Sequence, residues 1–421
     1  MAPSRPPYDV VVVGLGLAGL VAALAATGRG ARTLVVGRGH GTLRFRPGTV
    51  DVLGYWAGRP VTAPAEGLAA LAAAAPGHPY ALAAGDLDAG LDAVREAAGA
   101  AGLALDGSLA RNQLVGTSAG TLRPACLVAG PMRADWSGAH VLVVGLAGYR
   151  DLHPELVGAV LPEAAARRGI RLTASATTVD LPELRRRHLG ATELARAFEQ
   201  PELRRQVAEA LRGRLTGVTL VALPAVLGLE GAVEAAADLS SDLGVPVVEL
   251  ATLPPSVPGL RLELALSAAL RRAGAVLQVG PRVRAVGGGG RVERVELEAP
   301  GHPLRIPVAA LVLASGGLAS GGLEVGLDGA VRETVAGLPV GRPDASALFG
   351  RGFLEPAGHP VGRAGVRVDD RMQPLGEGGE PVYANLTAAG GVLAHASRAV
   401  ERSADGICCA TGWRAGTEAA A

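Results

Sequence analysis

The first part of the chain has the pattern of an uncharged strand, a glycine turn and a helix. Val10–Val13 is a β-branched run without charge, which is typical of a strand buried on both faces of a parallel sheet. Leu20–Ala26 continues as an apolar, alanine-rich helix, and Thr33–Val36 has the composition of a second strand. Together these stretches predict a β-α-β unit of a doubly covered parallel sheet.

Similar patterns recur along the rest of the chain. In the middle, strands and helices are predicted at His140–Gly145, Pro154–Arg168, Ile170–Ala174, Gly217–Leu223 and Pro246–Leu250. Further on they are predicted at Glu263–Arg272, Ala275–Val279, Val283–Val286, Val292–Leu297 and Ile306–Ala314, with a helix from about Ile407. We therefore expect a discontinuous nucleotide-binding domain at 1–60 plus 251–421. An inserted mixed α/β domain at 61–250 would face a substrate or a partner.

The turn after the first strand carries a dinucleotide-binding fingerprint. Gly14, Gly16 and Gly19 form G-x-G-x-x-G between a strand and a helix. The first glycine permits the tight turn, the second lets a pyrophosphate approach the backbone, and the third lets helix and strand pack closely. Free N–H groups at the helix start would then hold the phosphates. The alternative is a glycine-rich turn without a ligand.

The absence of charge from Val10 to Gly28 would also suit a membrane-spanning helix. However, the fingerprint glycines lie inside this stretch and a second strand follows it, so we expect a parallel sheet. No signal peptide is predicted, because the residues before the first strand carry little positive charge and Asp9 interrupts them.

The end of the second predicted strand lacks the expected acid. Dinucleotide-binding folds usually place an aspartate or glutamate there to bind the ribose, but this chain has Gly37 followed by Arg38. Three interpretations stay open. Arg38 contacts a phosphate, as in NADP-binding proteins; ribose recognition relies on the backbone; or Arg38 is a surface residue beside a turn.

Composition excludes some functions. Lysine plus arginine total 40 and aspartate plus glutamate 39, and the net charge of +1 predicts no nucleic-acid surface. Aromatic residues make up only 3% of the chain, so leucine, valine and alanine must build the core. Cys126, Cys408 and Cys409 include no C-x-x-C pair, so we predict no metal site.

Three motifs occur in the order found in flavoproteins of the fumarate reductase and succinate dehydrogenase type. They are the Gly14–Gly19 turn, a strand ending in small residues at Leu311–Gly317, and a strand-turn-helix around Ala389–Gly391. The chain resembles this class. The resemblance implies an α/β, Rossmann-like FAD/NAD(P)-binding flavoprotein fold, in which a parallel central sheet with helices carries an inserted mixed α/β domain.

A narrower resemblance is to the family of anaerobic glycerol-3-phosphate dehydrogenase B subunits. It covers essentially the whole chain, with matching stretches at Leu43–Phe45, Gly48–Leu53, His78–Tyr80, Thr252–Leu262, Leu313–Gly316 and Ser320–Leu323. The Leu-Pro-Pro-Ser-Val-x-Gly-x-Arg-Leu run that ends at Leu262 is specific.

This resemblance implies a flavin-dependent, quinone-linked respiratory enzyme. The family works with a catalytic A subunit and a membrane-associated iron–sulfur C subunit, oxidises sn-glycerol 3-phosphate to dihydroxyacetone phosphate and passes electrons to quinone. The chain would then be cytoplasmic and peripheral at the inner face of the cell membrane. The family is described as carrying FMN on this subunit, whereas the dinucleotide fingerprint favours FAD. Both remain open.

Further cofactor contacts are expected in the loops that follow the strands. They are Gly48, Thr49, Ser315, Gly316, Gly317, Gly390 and Gly391. The alternative for each later glycine is a helix cap or a tight turn. Arg261 is the candidate for holding a substrate anion, because arginine binds phosphate and carboxylate bidentately. Alternatively, Arg261 caps the start of a helix or forms an ion pair with an aspartate or glutamate.

Other features leave the assignment incomplete. His40, His359 and His395 are possible proton carriers, but none is nominated as catalytic base, and the catalytic residues stay unknown. Where the family has a glycine-rich tract before its last helix, His395–Gly406 carries charge, and Gly391 replaces an aspartate common in flavoproteins. Flavin affinity could therefore be weaker. The alternative functions are a flavin-depleted scaffold subunit and, because of Arg38, an NADP-linked reductase.

Overall fold

The computed structural model of the chain describes residues 7–182, 190–341 and 347–421. Unit 1 of its two compact units comprises Met1–Thr42, Asp51–Ala97 and Leu266–Ala421, and unit 2 comprises Leu43–Val50 and Ala98–Ala265. The division drawn from the sequence differs from this one at three places. Residues 43–50 and 251–265 belong to unit 2 rather than to the nucleotide-binding part, and residues 61–97 belong to unit 1 rather than to the inserted part. As a statement about functional domains, the division drawn from the sequence stays a prediction.

Short strands and helices alternate along the described residues. The strands are β1 (Val10–Val13), β2 (Thr33–Gly37), β3 (Tyr55–Trp56), β4 (Arg59–Pro60), β5 (Leu105–Gly107), β6 (Gln113–Gly116), β7 (Leu122–Ala125), β8 (Leu127–Ala129), β9 (His140–Leu146), β10 (Thr173–Val179), β11 (Leu220–Pro224), β12 (Val247–Leu250), β13 (Val276–Val279), β14 (Val283–Gly288), β15 (Arg291–Leu297), β16 (Leu304–Pro307), β17 (Ala310–Leu313), β18 (Leu323–Val325), β19 (Val331–Glu333) and β20 (Leu386–Ala388). The helices are α1 (Leu17–Gly28), α2 (Pro64–Ala74), α3 (Pro79–Ala83), α4 (Leu87–Gly99), α5 (Pro154–Ala166), α6 (Ala191–Phe198), α7 (Pro201–Leu211), α8 (Ala232–Leu243), α9 (Val257–Arg272), α10 (Arg398–Glu401) and α11 (Ala404–Ala419).

A five-stranded parallel sheet forms the centre of unit 1, in the order β13-β2-β1-β17-β20. All residues of β1 are buried, as expected for a central strand covered on both faces. Val12 of β1 lies in register between Val35 and Val312 of its two neighbours. The Rossmann-like parallel sheet predicted from the sequence is confirmed.

Helices α1 and α11 contact this sheet and each other with little space between them. A Cβ built on Gly412 of α11 would lie 2.6 Å from the carbonyl oxygen of Ala18. A Cβ built on Gly416 would lie 2.1 Å from that of Ala22. Only glycine therefore lets the two helix backbones approach so closely, since any side chain would force them apart. Most of α1 is buried, which accounts for its uncharged sequence.

Within the described ranges, no helix combines the length and the apolar character needed to cross a bilayer.

A three-stranded antiparallel sheet, β14-β15-β16, packs on one side of the parallel sheet. Val295 and Leu297 of β15 share a hydrophobic core with Val11 and Leu311 of the parallel strands. Val11 and Leu311 are paired in register and have no measurable exposure. The core of unit 1 therefore lies between these two sheets.

The single strand predicted over Ile306–Ala314 is wrong. The structure ends β16 at Pro307 and begins β17 at Ala310. Ile306 pairs antiparallel with Val295, whereas Ala310 pairs in parallel with Val10. The chain must leave one sheet and enter the other between these positions, so two short strands replace one continuous apolar run.

Unit 2 is built around a second parallel sheet of four strands, in the order β10-β9-β11-β12. The β-α-β arrangement predicted for this region is present, with α5 between β9 and β10 and α8 between β11 and β12. The strand predicted over 170–174 begins later, at Thr173. The reason is that the Ile170 N–H donates to the Ala165 oxygen at 3.0 Å and closes the end of α5.

Helix α9 begins at Val257, earlier than the predicted Glu263. Ser256 caps it, because the Gly259 N–H donates to Ser256 Oγ at 3.1 Å. Arg261 therefore lies in the early turns of α9, where it is 4% exposed.

Arg261 forms a buried, bidentate ion pair with Glu249 of β12. Its Nη1 and Nη2 donate to the Glu249 carboxylate at 2.6 and 2.8 Å, and its Nε donates to the Gly228 oxygen at 2.7 Å. Glu249 also accepts the Leu227 N–H at 2.7 Å. The guanidinium thus makes three hydrogen bonds inside the protein, two of them to a carboxylate. This is the alternative considered for Arg261, and these contacts give its expected role in binding a substrate anion no support.

We expect Glu249→Ala to destabilise the chain by about 3–5 kcal/mol, because it leaves the Arg261 charge buried without a partner. The double variant Glu249→Leu/Arg261→Met should recover most of this loss, since two apolar side chains replace both charges. Urea unfolding at pH 7 measures the difference.

The matched control is Arg167→Met, which breaks an ion pair between side chains that are 76% and 68% exposed. It should cost less than about 0.5 kcal/mol. A Glu249→Ala variant no less stable than this control would contradict the structural role of the buried pair.

Candidate cofactor-binding site

The opening turn joins β1, α1 and β17 by direct backbone contact. Gly14 has a φ of +121°, and a Cβ built on it would lie 2.1 Å from the Ala314 oxygen. A Cβ on Gly19 would lie 1.9 Å from the Gly14 oxygen. These two glycines therefore set the close packing of strand and helix, as the fingerprint requires.

Gly16 differs from its two neighbours in the fingerprint. It is the N-cap of α1, and a Cβ built on it meets nothing within 4 Å. The first turn of α1 contains no acidic side chain, and no side chain caps it. The positive end of the helix dipole is thus not offset by the protein itself, which is the arrangement that binds phosphate.

The loop after β2 lies against this turn. A Cβ on Gly41, where φ is +72°, would lie 2.5 Å from the Cα of Gly16. Gly41 was not among the candidates drawn from the sequence, although its place in a Gly-His-Gly run directly after β2 is a usable signal. It belongs to the candidate site, because only glycine allows this approach.

Gly37, which stands where an acid is expected at the end of β2, packs against the opening turn. A Cβ on Gly37 would lie 2.9 Å from Leu15 Cδ1 and 3.4 Å from the Cα of Gly14. A larger residue at this position would therefore require the end of the Leu15 side chain to shift. The next residue, Arg38, is exposed, and its proposed contact with a phosphate stays a prediction.

The carboxyl end of β17 presents an unsatisfied hydroxyl. Ser315 Oγ is buried and has no hydrogen-bond partner among the described residues. A buried polar group without a partner costs about 1–3 kcal/mol, so such a group indicates a ligand or a water. Gly316 has a φ of +82°, and a Cβ on it would meet Ser320 Oγ at 2.5 Å.

The loop after β20 closes on the same edge of the sheet. A Cβ on Gly391 would lie 2.9 Å from the backbone nitrogen of Gly317, and one on Gly390 would lie 2.5 Å from Ala18 Cβ. The Gly390 N–H donates to Thr411 Oγ1 at 2.9 Å. The predicted residues of unit 1 thus lie at one edge of the sheet, where Arg38 is exposed.

Gly48 and Thr49 belong to unit 2. Gly48 has a φ of +72°, and a Cβ on it would lie 2.4 Å from the carbonyl carbon of Pro258. Thr49 is 2% exposed. Gly48 is therefore required for packing against the start of α9, and a cofactor contact from either residue stays a prediction.

The edge of the unit 1 sheet has features that suit a phosphate-bearing flavin. Space is open over Gly16 at an uncompensated helix start, which suits linked phosphates, and Ser315 Oγ offers an unused hydroxyl. These residues would bind the cofactor mainly through backbone donors, because the surrounding glycines exclude longer side chains.

The charged tract at 395–406 has, at two positions, a backbone conformation that favours glycine. His395 and Arg402 have φ values of +72° and +48°. A residue with a side chain in this left-handed region costs about 1–2 kcal/mol. The tract therefore retains the geometry expected of a glycine-rich segment, although charged residues occupy it.

Glu401 holds this tract in place. Its carboxylate accepts from His78 Nε2 at 3.2 Å, from Ser403 Oγ at 2.7 Å and from the Ser397 N–H at 2.8 Å. Burial alone would raise the pKa of Glu401, but the hydrogen bonds from His78, Ser403 and Ser397 outweigh it, so the pKa is lowered. The tract is thus fixed by an ionised, buried glutamate.

The remaining histidines named from the sequence lie in local contacts. His359 Nδ1 accepts the Gly350 N–H at 3.1 Å within its own loop. His40 follows Gly39 in the loop after β2, and His395 lies beside Gly77. These contacts give no histidine the position of a catalytic base.

We expect the Glu401→Gln variant to be less stable than the parent at pH 7 by about 1.5–3 kcal/mol, because hydrogen bonds to a charged group are lost. A lowered folded-state pKa means that the contribution is complete above the ordinary value of 4.5 and is lost as pH falls through the folded pKa. The difference between variant and parent should therefore shrink below pH 4.5.

Chemical unfolding from pH 7 to pH 3.5 measures this, with the exposed Glu377→Gln as the control. A parent–variant difference that stays constant across this range would show that Glu401 is not ionised in the folded state.

At Arg402, glycine should be more stable than alanine by about 1 kcal/mol, because both variants lose the side chain but only alanine keeps the strain. At Arg398, which is helical in α10, the order should reverse by a similar amount. Thermal melting of the four variants compares them. The same order at both positions would argue against a strained Arg402.

Residues 9–406 match the sequence profile of the family described as "FAD binding domain". A protein from Halobacterium salinarum, named as a probable B subunit of anaerobic glycerol-3-phosphate dehydrogenase, is 33% identical over 439 residues, which cover 98% of this chain and 97% of that protein. The B subunit of anaerobic glycerol-3-phosphate dehydrogenase from Pectobacterium carotovorum is 33% identical over 401 residues, 92% of each chain.

Solved structures align over most of the chain at low identity. A 3-ketosteroid dehydrogenase from Rhodococcus jostii aligns over 100% of this chain and 98% of its own, with 13% identity and a TM-score of 0.45. The sequence matches confirm the predicted family, the flavoprotein fold and a flavin as cofactor. The chain is a flavin-dependent dehydrogenase subunit, and it belongs to the FAD binding domain family and, within it, to the anaerobic glycerol-3-phosphate dehydrogenase B subunits.

Proposed function

We propose that the chain is the flavin-bearing subunit of a quinone-linked glycerol-3-phosphate dehydrogenase. The complex would oxidise sn-glycerol 3-phosphate to dihydroxyacetone phosphate, releasing two electrons and two protons per turnover. The observation that carries this proposal is the edge of the unit 1 sheet, where the open Gly16 turn lies near the unsatisfied Ser315 hydroxyl. The relatives of the chain are named as B subunits of anaerobic glycerol-3-phosphate dehydrogenase, which supports the same proposal.

In this proposal the chain binds and orients the cofactor. Backbone N–H groups at the start of α1 hold the phosphates, Ser315 Oγ contributes a hydroxyl, and the loops at Gly316–Gly317 and Gly390–Gly391 exclude water by their close packing. The flavin would supply the capacity to take up an electron pair and to pass electrons on singly. We propose FAD rather than FMN, because the helix start suits the pyrophosphate that only FAD contains.

The proposal includes two partners and a location. A catalytic A subunit would oxidise the substrate, and a membrane-associated iron–sulfur C subunit would receive the electrons. The chain would then be peripheral at the inner face of the cell membrane through these partners. The relatives are named as one subunit of an enzyme, which supports a complex of several chains.

A matched pair of glycine variants tests cofactor binding. A Cβ on Gly16 or on Gly28, at the two ends of α1, meets nothing within 4 Å, so both positions have room for a β-carbon. Gly16→Val should weaken flavin binding at least about tenfold, because the side chain covers the phosphate-binding amides. Gly28→Val should bind flavin as the parent does. Absorbance at 450 nm per mole of chain gives the occupancy.

The mass of the extracted cofactor distinguishes FAD from FMN. A parent chain that stays colourless after incubation with either flavin, alone and with its A subunit, would contradict the proposal.

The flavin-depleted scaffold is the alternative that the charged tract at 395–406 favours. A complex reconstituted with flavin-free Gly16→Val chain should lose electron transfer to quinone if the proposal holds, whereas full turnover would support the scaffold.

The NADP-linked reductase is the second alternative, and spectral titration with NADPH tests it. Saturable NADPH binding that the Arg38→Ala variant abolishes would favour this alternative.

A further inference from the structure

A small cleft opens in unit 1 at a place that none of the assigned functions uses. Its volume is about 140 Å³, the share of roughly four or five water molecules in the liquid. Its lining residues are Gly77, Pro79, Leu82, Val366, Arg367, Val368, Leu375, Leu393, Ala394 and His395. The cleft thus has an apolar floor, two groups able to carry positive charge and no acidic side chain.

Arg367 enters this cleft without a carboxylate partner. Its Nη2 donates to the Gly376 oxygen at 2.8 Å, and it forms no ion pair within the part of the chain that the structure describes. The side chain is half-buried. Most of the donors of this guanidinium are therefore available, and its charge is not neutralised locally.

His395 is held beside the cleft in a strained conformation. Its φ is +72°, and its backbone N–H donates to the Arg363 oxygen at 2.9 Å. The ring lies against Gly77, where a built Cβ would be 3.4 Å from His395 Cδ2. Within the described ranges the imidazole has no hydrogen-bond partner. Strained residues of this kind concentrate at functional sites.

The electrostatic surroundings of the cleft are positive. Burial lowers the pKa of His395, and the charges of Arg367 and His78 lower it further. His78 is not free to compensate, because its Nδ1 accepts the Tyr80 N–H and its Nε2 faces Glu401. The nearby carboxylate, Glu401, is engaged by Ser403 and Ser397 as well. Among the described residues no carboxylate lines the cleft itself, and the ionised Glu401 is hydrogen bonded to His78 rather than to Arg367 or His395.

We propose that this cleft binds a compact organic anion, with Arg367 and His395 contacting its phosphate or carboxylate group. Val366, Leu375 and Leu393 would contact the body of the ligand, and a volume of about 140 Å³ suits a few carbon atoms. A phosphate monoester of a three-carbon compound has this chemistry. Its source is either the substrate or product of the complex, or a free anion that regulates it. The proposal does not depend on the flavin site.

Calorimetric titration of the full-length chain tests the site with four probes: inorganic phosphate, acetate, sn-glycerol 3-phosphate and uncharged glycerol. The three anions should bind and glycerol should not. Arg367→Gln should weaken anion binding at least about tenfold, because charge-assisted hydrogen bonds are lost. Arg363→Gln is the matched control. This arginine is exposed in the same segment, and its side chain does not line the cleft, so anion affinity should be unchanged.

His395→Asn removes the imidazole, and asparagine tolerates the left-handed backbone that this position requires. It should also weaken anion binding, by at least about threefold. The imidazole Cε1–H NMR signal of His395 gives a second readout in the parent: its midpoint should move to higher pH when the anion binds, since the anion favours the protonated ring. Melting temperatures of all variants exclude unfolding as the cause of lost binding.

The outcomes separate the two sources and decide the proposal. Tighter binding of sn-glycerol 3-phosphate than of phosphate supports the substrate or product, and equal binding supports a free anion. Equal affinity of Arg367→Gln and parent, or no heat and no NMR shift with any anion at 10 mM, overturns the site. Flavin occupancy of the same preparations is measured separately, so a failure here leaves the flavin proposal standing.

Discussion

The structure of unit 1 depends on backbone contact between α1 and the elements around it. Gly14 and Gly19 bring the opening turn against β17 and against the start of the helix. On the other end of the same arrangement, Gly412 and Gly416 bring α11 against α1. Each of these contacts leaves less room than one methyl group needs. Helices α1 and α11 therefore pack closely against each other and against the parallel sheet. At its edge, the space around a Cβ built on Gly16 stays open.

Charge has a different part in each unit. In unit 2, Arg261 and Glu249 fix the end of β12 to α9 and to the loop at Leu227. In unit 1, Glu401 fixes the tract before α11 through His78, Ser397 and Ser403. Glu249 and Glu401 are both buried, and both oxygens of each carboxylate accept hydrogen bonds. Each acid therefore fixes a loop to the elements that surround it. Arg367 is the contrasting case, since it is half-buried and forms no ion pair with any residue that the structure describes.

The candidate site was predictable where it depends on a local pattern. The spacing of Gly14, Gly16 and Gly19 after a valine run identifies a strand, a turn and a helix start, and the structure has them there. Gly41 was missed: its Gly-His-Gly run after β2 indicates a loop at this edge, but it does not show that Gly41 lies against Gly16. Arg261 was assigned from its general affinity for anions, whereas its actual partner, Glu249, is an acid within the same protein.

The sequence by itself determined the fold class and the opening turn, because apolar periodicity, β-branched runs and glycine spacing act over a few residues. The family followed from the resemblance of its motifs, such as the run that ends at Leu262. The sequence also shows that Gly37 stands where an acid is expected. Only the tertiary structure decided what packs against Gly37, which hydroxyl is left unsatisfied, and which arginines are paired with acids. Those properties arise from contacts between residues far apart in the chain, such as Gly37 with Leu15 across the turn or Gly317 with Gly391 between two loops. Local patterns do not specify such pairs, since they depend on how whole elements pack.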